Sequence, residues 1–316
     1  MNKVTSNPPE QPCVAILLCT YNGELFLTEQ LDSIIRQTHE NWILYASDDG
    51  SKDSTIEILY RYQAELGEQK FKILNGPRQG FSKNFMSLIK NKSIEADYYA
   101  FSDQDDIWHE NKIEIAVEHL KSHTNKAPSI YCSRTHLIDT SGNSLGFSPL
   151  FRKKPSFSNA LVQSLAGANT MIIDNQARYI LATTPNDAKI ISHDWLAYIL
   201  VSSCDGNIFY DQTPRIDYRQ HSANIIGSNT SFKDKVKRLK KMLEGTFRDW
   251  NESNIYILES CKEIMSETSK QKLAAYQKAR KAKSIRRILF LRKAKLYRQT
   301  LTGEIGLYLA AALGKL

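Results

Sequence analysis

The sequence lacks any stretch approaching the roughly 18 consecutive apolar residues that a membrane-crossing helix needs. The longest apolar run near the C-terminus, residues 307–313, is short and follows Gly306. The N-terminus is polar, holds Pro8, Pro9 and Pro12, and shows no basic-then-apolar secretion signal. The cysteines are five in number, scattered and never in CxxC spacing. That argues against a disulfide framework and a structural zinc site, and for a reducing, cytoplasmic setting. No GxGxxG follows the first apolar run, so a dinucleotide cofactor is not indicated. No GxxxxGK[ST] occurs, which disfavours a P-loop kinase or ATPase. There is no internal repeat and no low-complexity tract.

What is present fits a large α/β domain. The 316 residues are 41% hydrophobic and 24% charged, enough for a substantial core. Residues 1–12 read as a disordered lead-in. Residues 14–19 form a continuous apolar run, the mark of a strand buried on both faces. Helical spacing follows at Leu27, Leu31, Ile34 and Ile35. Further strands are expected at 43–46, 71–74 and 98–101, with helices at 54–62 and 81–89 between them. This alternation predicts a Rossmann-like, mostly parallel sheet with helices on both faces. Beyond Trp108 the pattern loosens. Strands are expected at 130–138, 168–173, 208–210 and 215–218, and a helix at 193–201.

Ligands of such sheets bind beyond the carboxyl ends of the strands. Three polar clusters fall there. Thr20, Tyr21 and Asn22 offer a hydroxyl, an aromatic face and an amide, which suit a pyrimidine ring or an ordinary loop. Asp48 and Asp49 can accept hydrogen bonds from a base or ribose, or can shape a turn capped by Asp53 or Ser54. Asp103 and Asp105 point to one side of an extended turn, where two carboxylates repel unless a cation lies between them. Mg²⁺ or Mn²⁺, completed by phosphate oxygens, suits so few hard ligands. The neighbouring Asp106 suits an N-cap for a helix starting near Trp108.

Other candidates are more scattered. Lys83 and Asn84 open a helix and suit a diphosphate, or a solvated surface. Asp194, at the start of a helix between His193 and Trp195, suits a general base with Trp195 against a sugar ring. Equally, Ser192 or Asp194 can cap that helix with Trp195 in the core. Arg219 and His221 can neutralise phosphate or ligate a metal.

These segments together resemble glycosyltransferase family 2, inverting transferases of the A-type glycosyltransferase fold. The similarity is carried by CTYNGELFLTEQLDSI at 19–34, SDDGSKDST at 47–55, GFSKNF at 80–85, FSDQDDIW at 101–108, SHDW at 192–195 and YRQHSANIIG at 218–227. Within the family the chain looks like bacterial rhamnosyltransferase-type members that build O-antigen and related surface polysaccharides. The resemblance implies a catalytic domain over residues 13–230. It implies a nucleotide-sugar site of Thr20, Tyr21, Asn22, Glu24, Asp48, Asp49, Lys83, Asn84, Asp103, Gln104 and Arg219. It implies a metal site of Asp103, Asp105 and His221, Asp194 as catalytic base, and His193 and Trp195 on the acceptor side. The donor is expected to be a dTDP- or UDP-sugar, and the acceptor a glycan or lipid-linked oligosaccharide. The chain lacks the QxxRW motif and membrane helices of processive members, which points to single-sugar addition. A binding protein of the same fold without turnover is the alternative, and the intact acidic residues at 103, 105 and 194 favour the enzyme.

The net charge of +8 is local. Residues 232–300 carry 20 Lys and Arg against 7 Asp and Glu. This stretch belongs to a basic helical region expected over 231–316. Lys235, Lys237, Arg238, Lys240, Lys241, Arg280, Arg286, Arg287, Arg292, Lys293 and Lys295 are interleaved in part with Ile285, Ile288, Leu289, Phe290, Leu291 and Leu296. That pattern suits an amphipathic helix on the anionic inner membrane, or a helix packed on the domain or a second subunit. No base-stacking or groove-reading motif supports nucleic acid as a partner.

Overall fold

The computed structural model describes residues 11–122, 127–221 and 245–316, except for the side chains of residues 284 and 285. Most of the lead-in, the 230/231 domain boundary and the basic residues 235–241 lie outside the described residues.

The continuous apolar run becomes β1 (Val14–Thr20), buried along its whole length. It lies between β2 (Trp42–Asp48) and β4 (Tyr98–Ser102), parallel to both. β3 (Phe71–Asn75) continues the sheet parallel to β2. Beyond β4 lie β9 (Ile172–Asp174), β6 (Ser129–Ser133) and β10 (Asn207–Asp211), giving the order β10-β6-β9-β4-β1-β2-β3. Alternate residues of β1 feed different cores, as the strand period of two requires. Ala15, Leu17 and Cys19 join one apolar cluster. Val14, Ile16 and Leu18 join the cluster on the other face.

Helices cover both faces. α1 (Leu27–Ile35), α2 (Thr55–Leu66) and α4 (Lys112–Lys121) pack on one face. α3 (Phe81–Lys90), the short α5 (Phe157–Ala160), α6 (Asn175–Ala182) and α7 (His193–Ser203) pack on the other. The C-terminal helices α8 (Thr246–Ser260), α9 (Glu267–Lys281), α10 (Ser284–Lys293) and α11 (Leu301–Ala312) join that second core through Ile257, Leu258, Leu273, Tyr276, Leu291 and Leu307. Among the described residues, no helix is long and apolar enough to cross a membrane.

Three expectations are corrected. Residues 130–138 are not one strand. The chain leaves the large sheet after Ser133, where Arg134 N–H donates to Asp211 O, and β7 (His136–Ile138) enters a second sheet. That sheet runs in the order β5 (Ile107–Trp108), β11 (Ile216–Arg219), β7 and β8 (Ser144–Phe147). Residues 168–170 form a 3₁₀ turn, and β9 runs antiparallel to both neighbours. Asp106 does not cap a helix, because β5 intervenes before α4 and the carboxylate is fully buried.

Candidate active site

Parallel register brings the strand tips together. Thr20 lies opposite Asp48, and Leu18 opposite Ser102. The loops after β1, β2 and β4 therefore leave one edge of the sheet side by side.

The first two loops are bound to each other. Asp48 accepts at Oδ1 from the N–H groups of Gly50 (2.9 Å) and Ser51 (2.8 Å). At Oδ2 it accepts from the hydroxyls of Thr20 (2.9 Å) and Ser51 (2.5 Å). The turn needs the left-handed backbone at Gly50, with φ of 98°. Asp49 holds the loop after β3, accepting from Arg78 N–H at 2.6 Å and Gly80 N–H at 2.7 Å. Asn22 donates its N–H to Ser51 Oγ and accepts from Lys52 N–H, both at 2.8 Å. Glu24 accepts from Ser54 N–H at 3.0 Å. Gln104 grips the first loop reciprocally. Its Oε1 accepts from Tyr21 N–H at 2.8 Å, and its Nε2 donates to Tyr21 O at 3.1 Å. The Tyr21 ring stays outside, 55% exposed.

The polar groups expected to hold nucleotide at Asn22, Glu24, Asp48, Asp49 and Gln104 are thus engaged in building the rim. Asn84 is engaged in the same sense. It is buried, accepting from Ser47 Oγ at 2.6 Å and donating to Ser47 O at 2.8 Å. The Lys83 ammonium is partly engaged within the chain. Nζ donates to the carbonyls of Asn186 (2.6 Å) and Ala188 (3.1 Å). Arg219 is buried and pairs with Glu29 Oε2 at 2.7 Å, while also donating to Asp105 O and Thr140 O at 3.1 Å. It braces the acidic loop from behind.

The two residues expected on the acceptor side lie in the core. His193 is buried among Phe81, Phe85 and Phe101, stacked on Phe85 at 4.0 Å between centroids. Burial lowers its pKa to about 3, and neither ring nitrogen meets a hydrogen-bond partner. Trp195 donates Nε1–H to Ala160 O at 2.7 Å inside the core and packs edge-on against Trp250. Helix phase explains both: nearly all of α7 is buried, and Asp194 alone in its first turn is half-exposed.

The remaining acidic groups behave differently from the rim. Asp103 is pushed up to about 7, first by burial, then by the charges of Asp105 and Asp194, against the pull of Lys112. That coupling places Asp194, from α7, within electrostatic reach of the loop after β4. Burial also raises Asp194, against hydrogen bonds from Ser192, Ser164 and the Trp195 N–H; Ser164 Oγ lies 3.0 Å from Oδ2. Asp105 Oδ2 lies 2.7 Å from His221 Nε2. Asp105 and His221 are thus in direct contact, and Asp194 exerts its charge on Asp103 beside them.

Behind them is a buried network that the sequence did not reveal. Asp106 accepts from Asn169 Nδ2 at 2.7 Å and from Arg219 N–H at 3.2 Å. Lys112 is fully buried, donates to Asn169 O at 2.8 Å and lies over the Trp108 ring. Burial lowers its pKa well below the usual lysine value, although Asp106 and Asp103 pull it upward. The signal was a lysine in the buried phase of α4, with Ala116 and Leu120.

Among the described residues, no group of three His, Cys, Asp or Glu side chains forms a ready-made metal cage. Asp103 and Asp105 nevertheless fit a hard divalent ion of the kind bound by one or two carboxylates plus substrate phosphates. Two hard carboxylate donors two residues apart on the loop after β4, with His221 Nε2 2.7 Å from Asp105, are the donor set that supports this fit.

The glycosyl transferase family 2 model matches residues 15–163. The chain is 33% identical over 234 residues to the dTDP-rhamnosyl transferase RfbG of Shigella flexneri, covering 70% of this chain and 78% of that protein. It is 29% identical over 225 residues to an uncharacterized glycosyltransferase of Rickettsia typhi, covering 69% and 67%. Among solved structures, it is similar to residues 1–349 of S. aureus TarS, with a TM-score of 0.55, 14% identity and coverage of 89% and 90%. It is also similar to the mannosyltransferase PcManGT from Pyrobaculum calidifontis in complex with GDP-Man and Mn²⁺, with a TM-score of 0.51, 15% identity and coverage of 99% and 89%. At these identities the solved structures support the fold alone.

Proposed function

The chain belongs to glycosyltransferase family 2 and is a glycosyltransferase; from that premise we propose that it transfers single rhamnose units from dTDP-rhamnose, with inversion and with a divalent metal, to a lipid-linked surface glycan at the cytoplasmic face of the inner membrane. The observation that carries this reading is the acidic loop that β4 delivers to the sheet edge beside the tips of β1 and β2, with Asp105 Oδ2 2.7 Å from His221 Nε2 and the charge of Asp194 felt at Asp103. The rhamnosyl relative favours the sugar.

In this reading Asp194 accepts the proton of an acceptor hydroxyl. The hydroxyl oxygen forms a bond to the anomeric carbon from the face opposite the diphosphate. The bond from that carbon to the diphosphate oxygen breaks, and the nucleoside diphosphate departs with the electron pair, so the anomeric centre inverts. Ser164 and Ser192 hold the Asp194 carboxylate in place. A Mg²⁺ or Mn²⁺ ion held by Asp103 and Asp105, with His221 beside them, would neutralise charge on the leaving diphosphate. The exposed Tyr21 ring at the rim offers a face to the base. Cations of α10 and the turn after it contact the anionic leaflet where the acceptor resides.

The test is a thermal-shift screen of dTDP-, UDP- and GDP-sugars with Mn²⁺, followed by product analysis with acceptor lipid. The reading expects the largest stabilisation with dTDP-rhamnose and release of dTDP. Release of pyrophosphate instead would mark a nucleotidyltransferase and overturn it.

A further inference from the structure

Among the described side chains of α10, only Leu289 of the apolar residues faces outward. Leu291, and Leu296 just beyond the helix, are buried, while Ile288 and Phe290 are half-buried. What α10 turns outward is Arg286, Leu289, Arg292 and Lys293, followed by exposed Lys295. The exposed apolar surface lies on the next helix. α11 buries Leu307, Ala310 and Ala311. It exposes Leu301 (77%), Ile305 (60%) and Leu309 (44%), and Leu313 (51%) continues the line past its end. A spacing of four keeps these side chains on one stripe. Its one acidic residue, Glu304, is paired with Lys153. Arg287 fastens α10 to both neighbours, donating to Ala311 O on α11 and to Ala279 O on α9.

We propose that α11 is a membrane-embedded element: its outer stripe lies among the acyl chains of an anionic bilayer, with the cations of α10 and the following turn on lipid headgroups. Twelve residues rise about 18 Å, too short to span a bilayer but suited to lying in its interface. A stripe of this kind on the surface of a single chain calls for a partner. A second copy fits less well, because a two-fold contact through the stripe brings the same cationic flank against itself. An anionic surface turns that flank into an attraction. The purpose of the contact rests on the lipid-linked acceptor reading; the surface itself does not.

The test is sedimentation of the full chain with phosphatidylglycerol-containing vesicles and with pure phosphatidylcholine vesicles. The wild type binds the anionic vesicles. Ile305→Glu with Leu309→Glu weakens that binding roughly tenfold or more. Arg292→Ala with Lys293→Ala and Lys295→Ala weakens it and flattens its salt dependence. A wild-type circular dichroism melt shows that each variant is folded. Unchanged binding of the folded Glu variant overturns the proposal. So does a wild-type dimer that the Glu variant converts to monomer with vesicle binding unaltered, since the stripe would then serve a second copy. Failure of the transferase reading would appear separately, as no turnover of any nucleotide-sugar while vesicle binding persists.

Discussion

Asp48 ends β2 and Asp103 follows β4, the two strands that flank β1 at one sheet edge, yet their surroundings are opposite. The Asp48 oxygens accept two N–H groups and two hydroxyls from the loops they join. Asp103 faces two further carboxylates, and its proton is held to about pH 7. A carboxylate whose bonds are all internal shapes the rim. A carboxylate held beside its like, with too little positive charge near it, is poised for something absent from the chain itself. Under the proposed reading, the comparison divides residues that build the rim from residues that act at the site, although both stand in equally recognisable motifs.

Four changes would break or sharpen that division. Asp194→Asn has the largest expected effect, lowering kcat by about 10³-fold, as loss of a general base does, with nucleotide affinity unchanged. The wild-type pH profile sharpens it. A base works ionised, and burial raises the Asp194 pKa, so kcat is lost as pH falls through a value above the ordinary carboxylate range. A profile limited only by an ordinary carboxylate pKa would contradict this. Lys112→Met leaves Asp106 and Asp103 without their buried cation and costs about 3 kcal/mol in urea unfolding. An unchanged midpoint would remove Lys112 from the network. Asp48→Asn keeps the shape but loses charge-assisted bonds in the turn, costing about 2 kcal/mol. If folding stability is untouched and only donor KM rises, Asp48 belongs with the ligand rather than the rim. Gln104→Ala has the smallest effect, about 1 kcal/mol, because the Tyr21 backbone it holds can turn to water. A large kcat loss with normal stability would instead give Gln104 a direct catalytic part.

Much of this was legible in the residues. An unbroken apolar run marked β1 as a strand with two covered faces, β2 and β4 were expected as strands beside it, and the polar clusters directly after the three were expected to share an edge. What the sequence could not supply was partnership. The Asp106–Asn169 bond joins positions 63 apart, and neither residue type announces it. The motif residues at 22 and 48 were read by what they can bind, and those at 24 and 104 through the family resemblance, while folding decides whether another loop binds them first. His193 and Trp195 have polar atoms suited to a sugar, but the phase of α7 turns both inward and leaves Asp194 at the surface of the cleft. The antiparallel β9 was hidden because a three-residue strand carries no sign of direction. The outward stripe of α11 had the look of an ordinary apolar run, since only packing shows which of its leucines are covered.

The central claim is that Asp103 grips the metal-bound diphosphate while Asp194 acts only on the acceptor. Calorimetric titration of dTDP with and without Mn²⁺ into Asp103→Asn and Asp194→Asn tests it most directly. The account predicts that Asp194→Asn binds with the wild-type Kd and the wild-type Mn²⁺ dependence, and that Asp103→Asn loses that dependence. Wild-type Mn²⁺-dependent binding by Asp103→Asn, or an equal loss in both variants, would contradict it.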